Sequence, residues 1–423
     1  MKEINMEGLN ETIFYEETKE GLPVYIWQNE KVNGYYLSFS TKFGSIDTEY
    51  KVGNESFTLP NGTAHFLEHL KFNEEDGKSA QDFYEEMGSD VNAFTTFDFT
   101  SYQVYSTNQM KENLDHLLDF VLTPSFSEKM VKNEKGIIVE ENKMDQDNPA
   151  NKLFFGSYKN IFHKYNHKEY ITGDESEIKS TTLEDIENAF FHFYHPENMF
   201  LVVTGNVNPY DVIKVVNENL STKEFDTYKK PKRKAYKEPL KVVKPYHEEK
   251  GNVELPKLRY TLKIPKKDFK DVSEVELRVL LSLILNMNYG STSDFREDLL
   301  NKNLVYYFSP ERIIYEDYVL ISFMIETDYP EEVIKRLDDS LENLAMDETA
   351  FKRKIKSAIA NMVLSFDDIT EVNNMIQDYI MIYGDVVENL KELYESLSVE
   401  KGINVIKQIS TKEKSIYLIK PKK

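Results

Sequence analysis

The chain has 423 residues, more than one hydrophobic core usually accommodates, so two or more domains are expected. Its formal net charge of −21 would repel a phosphate backbone, so we expect no nucleic-acid partner. It has no cysteine, which excludes disulfides, thiolate zinc ligands and cysteine nucleophiles, and any metal must bind to histidine and carboxylate side chains. The N-terminal residues lack an apolar leader and no run of about 18 apolar residues occurs, so we expect a cytoplasmic protein with no membrane partner.

The first part of the chain combines groups of apolar strands with helices of 3.6-residue periodicity. In chain order, the pattern predicts strands at 21–27 and 35–44, a histidine-bearing helix within 61–72, a helix at 79–88, a strand at 101–107, helices at 108–122 and 127–144, and a helix leading into a buried strand within 181–207. Because the strands come in groups, a mixed or antiparallel sheet covered by helices is favoured over a parallel one.

The second part of the chain repeats the same order of elements after a change in composition. Residues 227–251 are rich in lysine and proline and lack apolar periodicity, so we interpret them as a linker that lies as a solvated strap on the surface. After it, the pattern predicts a strand at 258–264, helices at 272–287 and 291–303, a strand at 317–327, helices at 330–344 and 348–364, and a helix leading into a strand within 398–420. The repeat predicts an α+β fold of two homologous domains, 1–226 and 252–423, each a mixed or antiparallel β-sheet covered by helices.

Residues 61–72, NGTAHFLEHLKF, contain the motif H-x-x-E-H. On an α-helix His65 and His69 lie one turn apart on the same face, so both imidazoles can bind one metal ion. Glu68 lies to one side of them, where it can reach a water on that ion without binding the ion itself. This is the inverted form of the two-histidine zinc helix, in which the glutamate is the general base. The corresponding helix of the second half, 272–287, has no such motif, so we expect one Zn²⁺ per chain.

A catalytic zinc ion takes three protein ligands, so the two histidines require a third. The helix predicted at 127–144 offers Glu134 and Glu141, which lie two turns apart on one face. Glu141 can bind the ion while Glu134 orients a ligating histidine. Glu140 points about 100° away and is the weaker candidate. The alternative is that the motif arose by chance in a glutamate-rich chain and that the glutamate pair is a solvated stripe.

The other histidines have no such partners. We interpret them as surface or core residues: His116, His163, His167, His192, His195 and His247.

These residues resemble the insulinase or pitrilysin-type zinc metallopeptidases. The likeness is carried by HFLEHLKF, by EKGIIVEENKMDQDNP around Glu141, by SDVNAFTTFDFTSYQVYS at 89–106 and by FYHPENMFLVVTGNV at 193–207. It spans nearly the whole chain and is strongest in the first half. Within the family, the chain is most similar to bacterial processing-protease-like subunits of similar length, which implies the fold of a processing-peptidase-like clamshell half.

The resemblance implies a zinc-dependent endopeptidase that cleaves peptides or unfolded segments. It assigns the zinc ion to His65, His69 and Glu141. It also implies that Glu68 activates the attacking water and that Glu134 supports the site.

The resemblance further implies a peptide-binding edge strand at Asn92, Ala93 and Phe94. A substrate peptide would add to this edge as an extra strand, held by backbone hydrogen bonds, and Phe94 would line an apolar pocket. The alternative for this stretch is an ordinary core strand whose aromatic side chains pack.

The second half departs from the family pattern in one place. The family supplies an arginine and a tyrosine from a segment that reads roughly LREKGLAY. The matching stretch, DLLNKNLVYYF at 298–308, keeps Tyr306 but has Leu300 where the arginine is expected, and Arg296 lies one helical turn earlier. We therefore hypothesise a two-chain enzyme in which a paralogous subunit brings the Arg/Tyr pair.

Three other arrangements stay open. The chain could form a homodimer, or act as a monomer with a relaxed site. In the third, from a different functional class, it is a non-catalytic peptide-binding or scaffold subunit of a processing-peptidase-like complex. The presence of all four residues needed for chemistry favours the enzyme.

Overall fold

The computed structural model describes residues 1–73 and 79–422. Up to residue 220 the chain forms, in order, β1 (Lys2–Met6), β2 (Glu11–Glu17), β3 (Pro23–Gln28), β4 (Tyr35–Thr41), β5 (Glu49–Val52), β6 (Glu55–Thr58), α1 (Thr63–Lys71), α2 (Ala80–Glu86), β7 (Asp90–Thr95), β8 (Thr100–Ser106), α3 (Met110–Leu122), α4 (Glu128–Asp147), α5 (Pro149–Ile161), α6 (Glu175–Ser180), α7 (Leu183–Phe193), β9 (Met199–Gly205) and α8 (Pro209–Leu220).

The rest of the described chain contains fewer strands. In order, it forms β10 (Lys232–Arg233), β11 (Tyr246–Gly251), β12 (Lys257–Pro265), α9 (Glu274–Tyr289), α10 (Asp294–Asn301), β13 (Tyr307–Ile314), β14 (Tyr318–Glu326), α11 (Pro330–Glu342), α12 (Glu348–Ser365), α13 (Ile369–Tyr383), α14 (Leu390–Ser396), α15 (Val399–Gln408) and β15 (Lys414–Pro421). None of the described helices is both long and apolar enough to cross a membrane.

The chain divides into two compact units, each assembled from three segments. Unit 1 consists of Met1–Lys143, Glu169–Ala235 and Val363–Leu390, and unit 2 of Met144–Lys168, Tyr236–Met362 and Lys391–Lys423. The domains predicted from the sequence, 1–226 and 252–423, are continuous instead. The difference arises because α5 belongs to unit 2 and α13 to unit 1.

Unit 1 is built on a seven-stranded sheet in the order β1-β2-β3-β9-β4-β8-β7. The β3–β9 pair is parallel and the other pairs are antiparallel. Strand β9 is buried along its whole length because both faces of the sheet are covered. Phe200 and Val202 lie in the same apolar cluster as Val372 of α13, whereas Leu201 and Val203 contribute to the larger core on the other face. A smaller sheet, β10-β5-β6, completes the unit.

Unit 2 is built on a five-stranded sheet in the order β11-β15-β12-β14-β13. Here too a single pair, β11–β15, is parallel. On this sheet Leu153 of α5 packs against Tyr417 and Ile419 of β15. The order and directions match β3-β9-β4-β8-β7 of unit 1, so the structure confirms the predicted α+β class and the predicted repeat.

The segment 227–251 differs from the solvated strap that its composition predicts. Strand β10 pairs with β5 in unit 1, and β11 pairs with β15 in unit 2. Between them Glu238 accepts a hydrogen bond of 2.8 Å from Lys263, and both side chains are 0% exposed. Strand pairing and a buried ion pair need no apolar periodicity, which is why the sequence pattern does not reveal them.

Candidate active site

Helix α1 is positioned by a close approach of two backbone segments. It begins after Gly62, whose φ of +88° lies in the left-handed region. A Cβ atom at Gly62 would lie 2.3 Å from the carbonyl oxygen of Thr172, so only glycine fits. On the helix, Leu67 and Leu70 are fully buried in the core of unit 1. The two motif histidines therefore lie on the other side of the helix.

Helix α4 is held by the same loop that meets the start of α1. Val131 and Ile138 anchor α4 in the core of unit 1. The amide of Asn142 donates hydrogen bonds to Thr172 Oγ1 at 2.8 Å and to the carbonyl oxygen of Gly173 at 2.6 Å. Because one loop contacts both helices, it sets the distance from the histidine motif to the glutamates of α4.

Three side chains from these helices meet at one point, which we call the His65 site. Glu141 Oε1 lies 3.5 Å from His65 Nε2, and Glu141 Oε2 lies 3.3 Å from His69 Nε2. Ligand atoms bound tetrahedrally at about 2.1 Å from zinc are about 3.4 Å apart, so these separations fit that ion. Among the described residues this is the one group of three His, Asp or Glu side chains that could hold a metal ion. Two imidazoles and one carboxylate are a donor set that zinc prefers.

The orientation and charge of His69 are set by two carboxylates. Glu134 Oε1 lies 2.9 Å from His69 Nδ1, which leaves Nε2 facing Glu141. Burial lowers the pKa of His69, but the hydrogen bonds to Glu134 and Glu141 outweigh it and raise the pKa to about 10. Hydrogen bonds to the two histidines hold the pKa of Glu141 well below its usual range. The carboxylates that favour a proton on His69 also favour a metal cation in its place.

Glu68 is buried beside the metal-binding group without belonging to it. Its Oε2 accepts a hydrogen bond of 2.5 Å from Thr95 Oγ1, at the end of β7. Burial raises the pKa of Glu68, and the nearby His65 and the hydrogen bond from Thr95 partly offset this. A carboxylate with a raised pKa is suited to accept and return a proton near neutral pH.

Strand β7 is the edge of the large sheet next to Glu68. Asn92, Ala93 and Phe94 pair with β8 on one side, and in the described sheet no strand follows β7 on the other. Asn92 is exposed, whereas Ala93 and Phe94 are half-buried, and the Phe94 ring packs edge-to-face on Phe99. The strand therefore offers a free edge whose last residue, Thr95, contacts Glu68.

The residues considered from the second half lie in unit 2. Tyr306 precedes β13, is 62% exposed and donates a hydrogen bond of 2.9 Å to Asp328. Leu300, which stands where the family has arginine, is also exposed. Arg296 is half-buried on α10, the same helix as Leu300.

The structure brings together His65, Glu68, His69, Glu134 and Glu141. It also adds two residues that the sequence patterns do not indicate.

The added residues are Thr95, which holds Glu68, and Asn142, which holds α4. The NAFTTFDFTSYQV stretch at 92–104 signals a strand and turn but not which side chain faces Glu68. Asn142 directly follows Glu141, and a buried amide at that position could only be identified once the loop at Thr172 is placed.

Family models match most of the chain. The model of the insulinase family, peptidase family M16, matches residues 58–174, and the model of the peptidase M16 inactive domain matches residues 180–357. The chain is 38% identical over 309 residues to the uncharacterized zinc protease YmfH of Bacillus subtilis (strain 168), covering 72% of each protein.

Solved structures show the same fold. An M16-like peptidase from Alicyclobacillus acidocaldarius superposes with a TM-score of 0.89 at 22% identity, over 97% of this chain and 98% of that chain. The periplasmic protease PqqL from Escherichia coli gives a TM-score of 0.74 at 16% identity, over 97% of this chain and 47% of that chain. Together with the family models and the 38% identical relative, these findings show that the chain belongs to the insulinase family of peptidases, family M16.

Proposed function

We propose that this chain is a zinc-dependent endopeptidase that binds one Zn²⁺ and hydrolyses peptides or unfolded segments. The observation that carries the proposal is the meeting of His65, His69 and Glu141, with Glu134 on the far side of His69 and Glu68 buried beside them. The relative YmfH is named a zinc protease, which supports the same chemistry.

Each of these side chains has a distinct task in the proposed reaction. His65, His69 and Glu141 hold the ion, and Glu134 keeps the His69 ring in the orientation that presents Nε2. When bound, zinc lowers the pKa of water and polarises the scissile carbonyl group. Glu68 accepts the proton of the attacking water and returns it to the departing amine. Thr95 keeps the Glu68 carboxylate in place during both transfers.

Strand β7 is the proposed substrate-binding edge. A peptide added beside Asn92, Ala93 and Phe94 would extend the sheet of unit 1 by one strand. Since Thr95 ends this strand and contacts Glu68, a peptide on the edge would run toward the general base. The half-buried Phe94 would contact an apolar substrate side chain.

We propose that the active enzyme contains a second, paralogous chain. Tyr306 is kept, but Leu300 stands where the family has arginine. This chain alone would therefore offer an incomplete binding site for the oxyanion. The protease PqqL supports the same idea, since this chain matches 47% of its length and a single protein of that kind has room for a second half. A homodimer is the alternative arrangement.

A non-catalytic peptide-binding subunit is the second candidate function, and the same departure at Leu300 favours it. Stoichiometric zinc together with cleavage of a quenched peptide library supports the enzyme. Zinc and peptide binding with no cleavage, either alone or with the paralogous chain, supports the non-catalytic subunit.

The two-chain arrangement is tested by assaying the purified chain with and without its paralog. We expect weak cleavage by this chain alone and a large increase on mixing. Full activity of the isolated monomer would refute the two-chain proposal while leaving the zinc site in place.

A further inference from the structure

Unit 2 repeats the elements that carry the His65 site, with α9 and α12 in the places of α1 and α4. Helices α11 and α12 begin 220 residues after α3 and α4 begin, at Pro330 and Glu348 against Met110 and Glu128. Since the offset is 220 residues at both helices, adding 220 to a residue number on α4 gives the equivalent position on α12.

Neither Glu134 nor Glu141 of α4 has a carboxylate at its equivalent position on α12. Lys354 stands at the position of Glu134, and Asn361 stands at the position of Glu141. A cation and a neutral amide therefore occupy the places of two anions.

A contact between the paired helices repeats as well. Lys354 Nζ donates a hydrogen bond of 3.1 Å to Asn286 Oδ1 on α9, as Glu134 on α4 contacts His69 on α1 at 2.9 Å. Ser282 lies four residues before Asn286, the spacing of the two histidines on α1. Unit 2 thus keeps the helix pair and its side-chain contact, but the charged side chain on the second helix is a cation instead of an anion.

These side chains line an open pocket of about 810 Å³, which we call the Lys354 pocket. Its lining contains two cations, Arg353 and Lys354, and no carboxylate. Hydroxyl groups of Ser291, Thr292 and Ser357 complete its polar surface. In a chain of net charge −21, a pocket whose only formal charges are positive is unusual.

The positive charge of the pocket is not neutralised within the part of the chain that the structure describes. Neither Arg353 nor Lys354 forms an ion pair there. Burial and the neighbouring guanidinium of Arg353 lower the pKa of Lys354, as expected for a cation without a counter-ion. Lys354 donates to Asn286 Oδ1 and to Thr292 Oγ1, which leaves one of its three N–H groups for a ligand.

The hydroxyl of Ser282 is also available as a donor. Its oxygen accepts a hydrogen bond of 2.7 Å from Nε of Arg312, so its own hydrogen is directed elsewhere. Guanidinium, ammonium and hydroxyl donors around one pocket suit a ligand with several acceptor oxygens.

We propose that the Lys354 pocket binds a phosphate group, either as free inorganic phosphate or as part of a phosphorylated small molecule. The guanidinium of Arg353 would take two phosphate oxygens, and Lys354 and the hydroxyl groups would take the others. The pocket is larger than a phosphate ion, so the rest of a phosphorylated molecule would lie along α12.

The test is calorimetric titration of the full chain with inorganic phosphate, ATP and acetate at constant ionic strength. Wild type should bind phosphate or ATP saturably and acetate more weakly. Saturable binding of ATP without binding of phosphate would assign the ligand to phosphorylated molecules. Lys354→Gln should weaken the binding about tenfold, the loss of one charge-assisted hydrogen bond, and Arg353→Gln at least as much, since the guanidinium would donate two.

The matched control is Lys356→Gln, which removes the same charge from an exposed position of α12 outside the pocket lining. Circular dichroism spectra check that each variant is folded. The proposal is overturned if wild type binds neither phosphate nor ATP saturably, if acetate binds as tightly as phosphate, or if Lys356→Gln weakens binding as much as Lys354→Gln. Because the readout is binding, the result does not depend on peptidase activity.

Discussion

The His65 site and the Lys354 pocket lie on equivalent helix pairs but have opposite charge. In unit 1, α1 and α4 present two imidazoles and three carboxylates, and in unit 2, α9 and α12 present two amides, a lysine and an arginine. The helix pair and its contact are common to both, so the fold alone does not decide which ion is bound. The proposed difference in the bound ion follows from the sign of the charge on the second helix, at the positions of Glu134 and Lys354.

The buried faces of α1 and α9 are alike, although their outer side chains differ. Leu67 and Leu70 bury the inner face of α1, and Leu281 and Ile284 bury that of α9. Those apolar contacts stabilise either helix pair whatever its outer side chains are. The outer positions are therefore free to change chemistry without loss of the fold.

The largest expected effect follows from replacing Glu68, the proposed general base in unit 1. Glu68→Gln should lower kcat by about 10²–10⁴-fold, because the amide cannot accept the proton of the attacking water. Zinc content, measured by atomic emission, should stay at that of wild type, since Glu68 is not among the metal-binding group.

The control for this variant is Glu140→Gln, an exposed position of α4 paired with Lys143. It should retain wild-type activity. A Glu68→Gln protein that binds zinc and cleaves as fast as wild type would remove Glu68 from the mechanism.

Glu134→Gln tests the carboxylate at the position where unit 2 has Lys354. Loss of the carboxylate on His69 Nδ1 should raise the Kd for zinc about 10–100-fold, because partners of this kind fix the ring and strengthen the ligand. Competition with a chromophoric chelator measures the Kd. Lys354→Gln, the equivalent change in unit 2, should leave zinc affinity unchanged, and an equal loss in both variants would contradict the comparison.

The pH dependence of zinc binding tests the charge of the His65 site. The pKa of His69 is raised to about 10, so below that pH the ion must displace a proton from the ring. Zinc affinity should therefore rise about tenfold per pH unit between about 7 and 9. In Glu134→Gln the slope should be shallower, because the hydrogen bond that raises the pKa is weakened. An affinity that does not change over this range would contradict the assignment.

The smallest effect is expected at Thr95. Thr95→Val removes the hydrogen bond to Glu68 and should lower kcat/KM about fivefold, the worth of ~1 kcal/mol. Because that hydrogen bond holds the pKa of Glu68 down against burial, the acid limb of the pH profile should also move to higher pH. Thr12→Val, a change at a half-buried position of β2 that also loses a side-chain hydrogen bond, serves as the control. If the acid limb does not move, the hydrogen bond from Thr95 does not lower the pKa of Glu68 and its proposed role is wrong.

The metal-binding group could be predicted because its chemistry depends on spacing within single helices. The helical repeat places His65, Glu68 and His69 within one turn of α1. The same repeat places Glu134 and Glu141 two turns apart on one face of α4. The two-turn spacing of Glu134 and Glu141 indicates the helix at 127–144 as a source of the third ligand, and the family resemblance assigns the ion to Glu141. The distances to Glu141 depend on the loop at Thr172, which no local pattern describes.

The composition of the compact units could not be predicted. Helices α5 and α13 present apolar faces that would suit either sheet, since burial of apolar surface is not directional. Strands β10 and β11 are charged and lie in a segment rich in lysine and proline, so their pairing leaves no periodic signal. The contact of Thr95 with Glu68 joins a strand end to a helix, and periodicity within either element does not reveal it.

The central claim is that His65, His69 and Glu141 hold one zinc ion. Diffraction from crystals of the zinc-loaded chain, at energies on either side of the zinc absorption edge, tests it most directly. We predict one anomalous peak at about 2.0–2.2 Å from Nε2 of both histidines and from a carboxylate oxygen of Glu141. A zinc peak bound elsewhere, with none between these three side chains, would contradict the account.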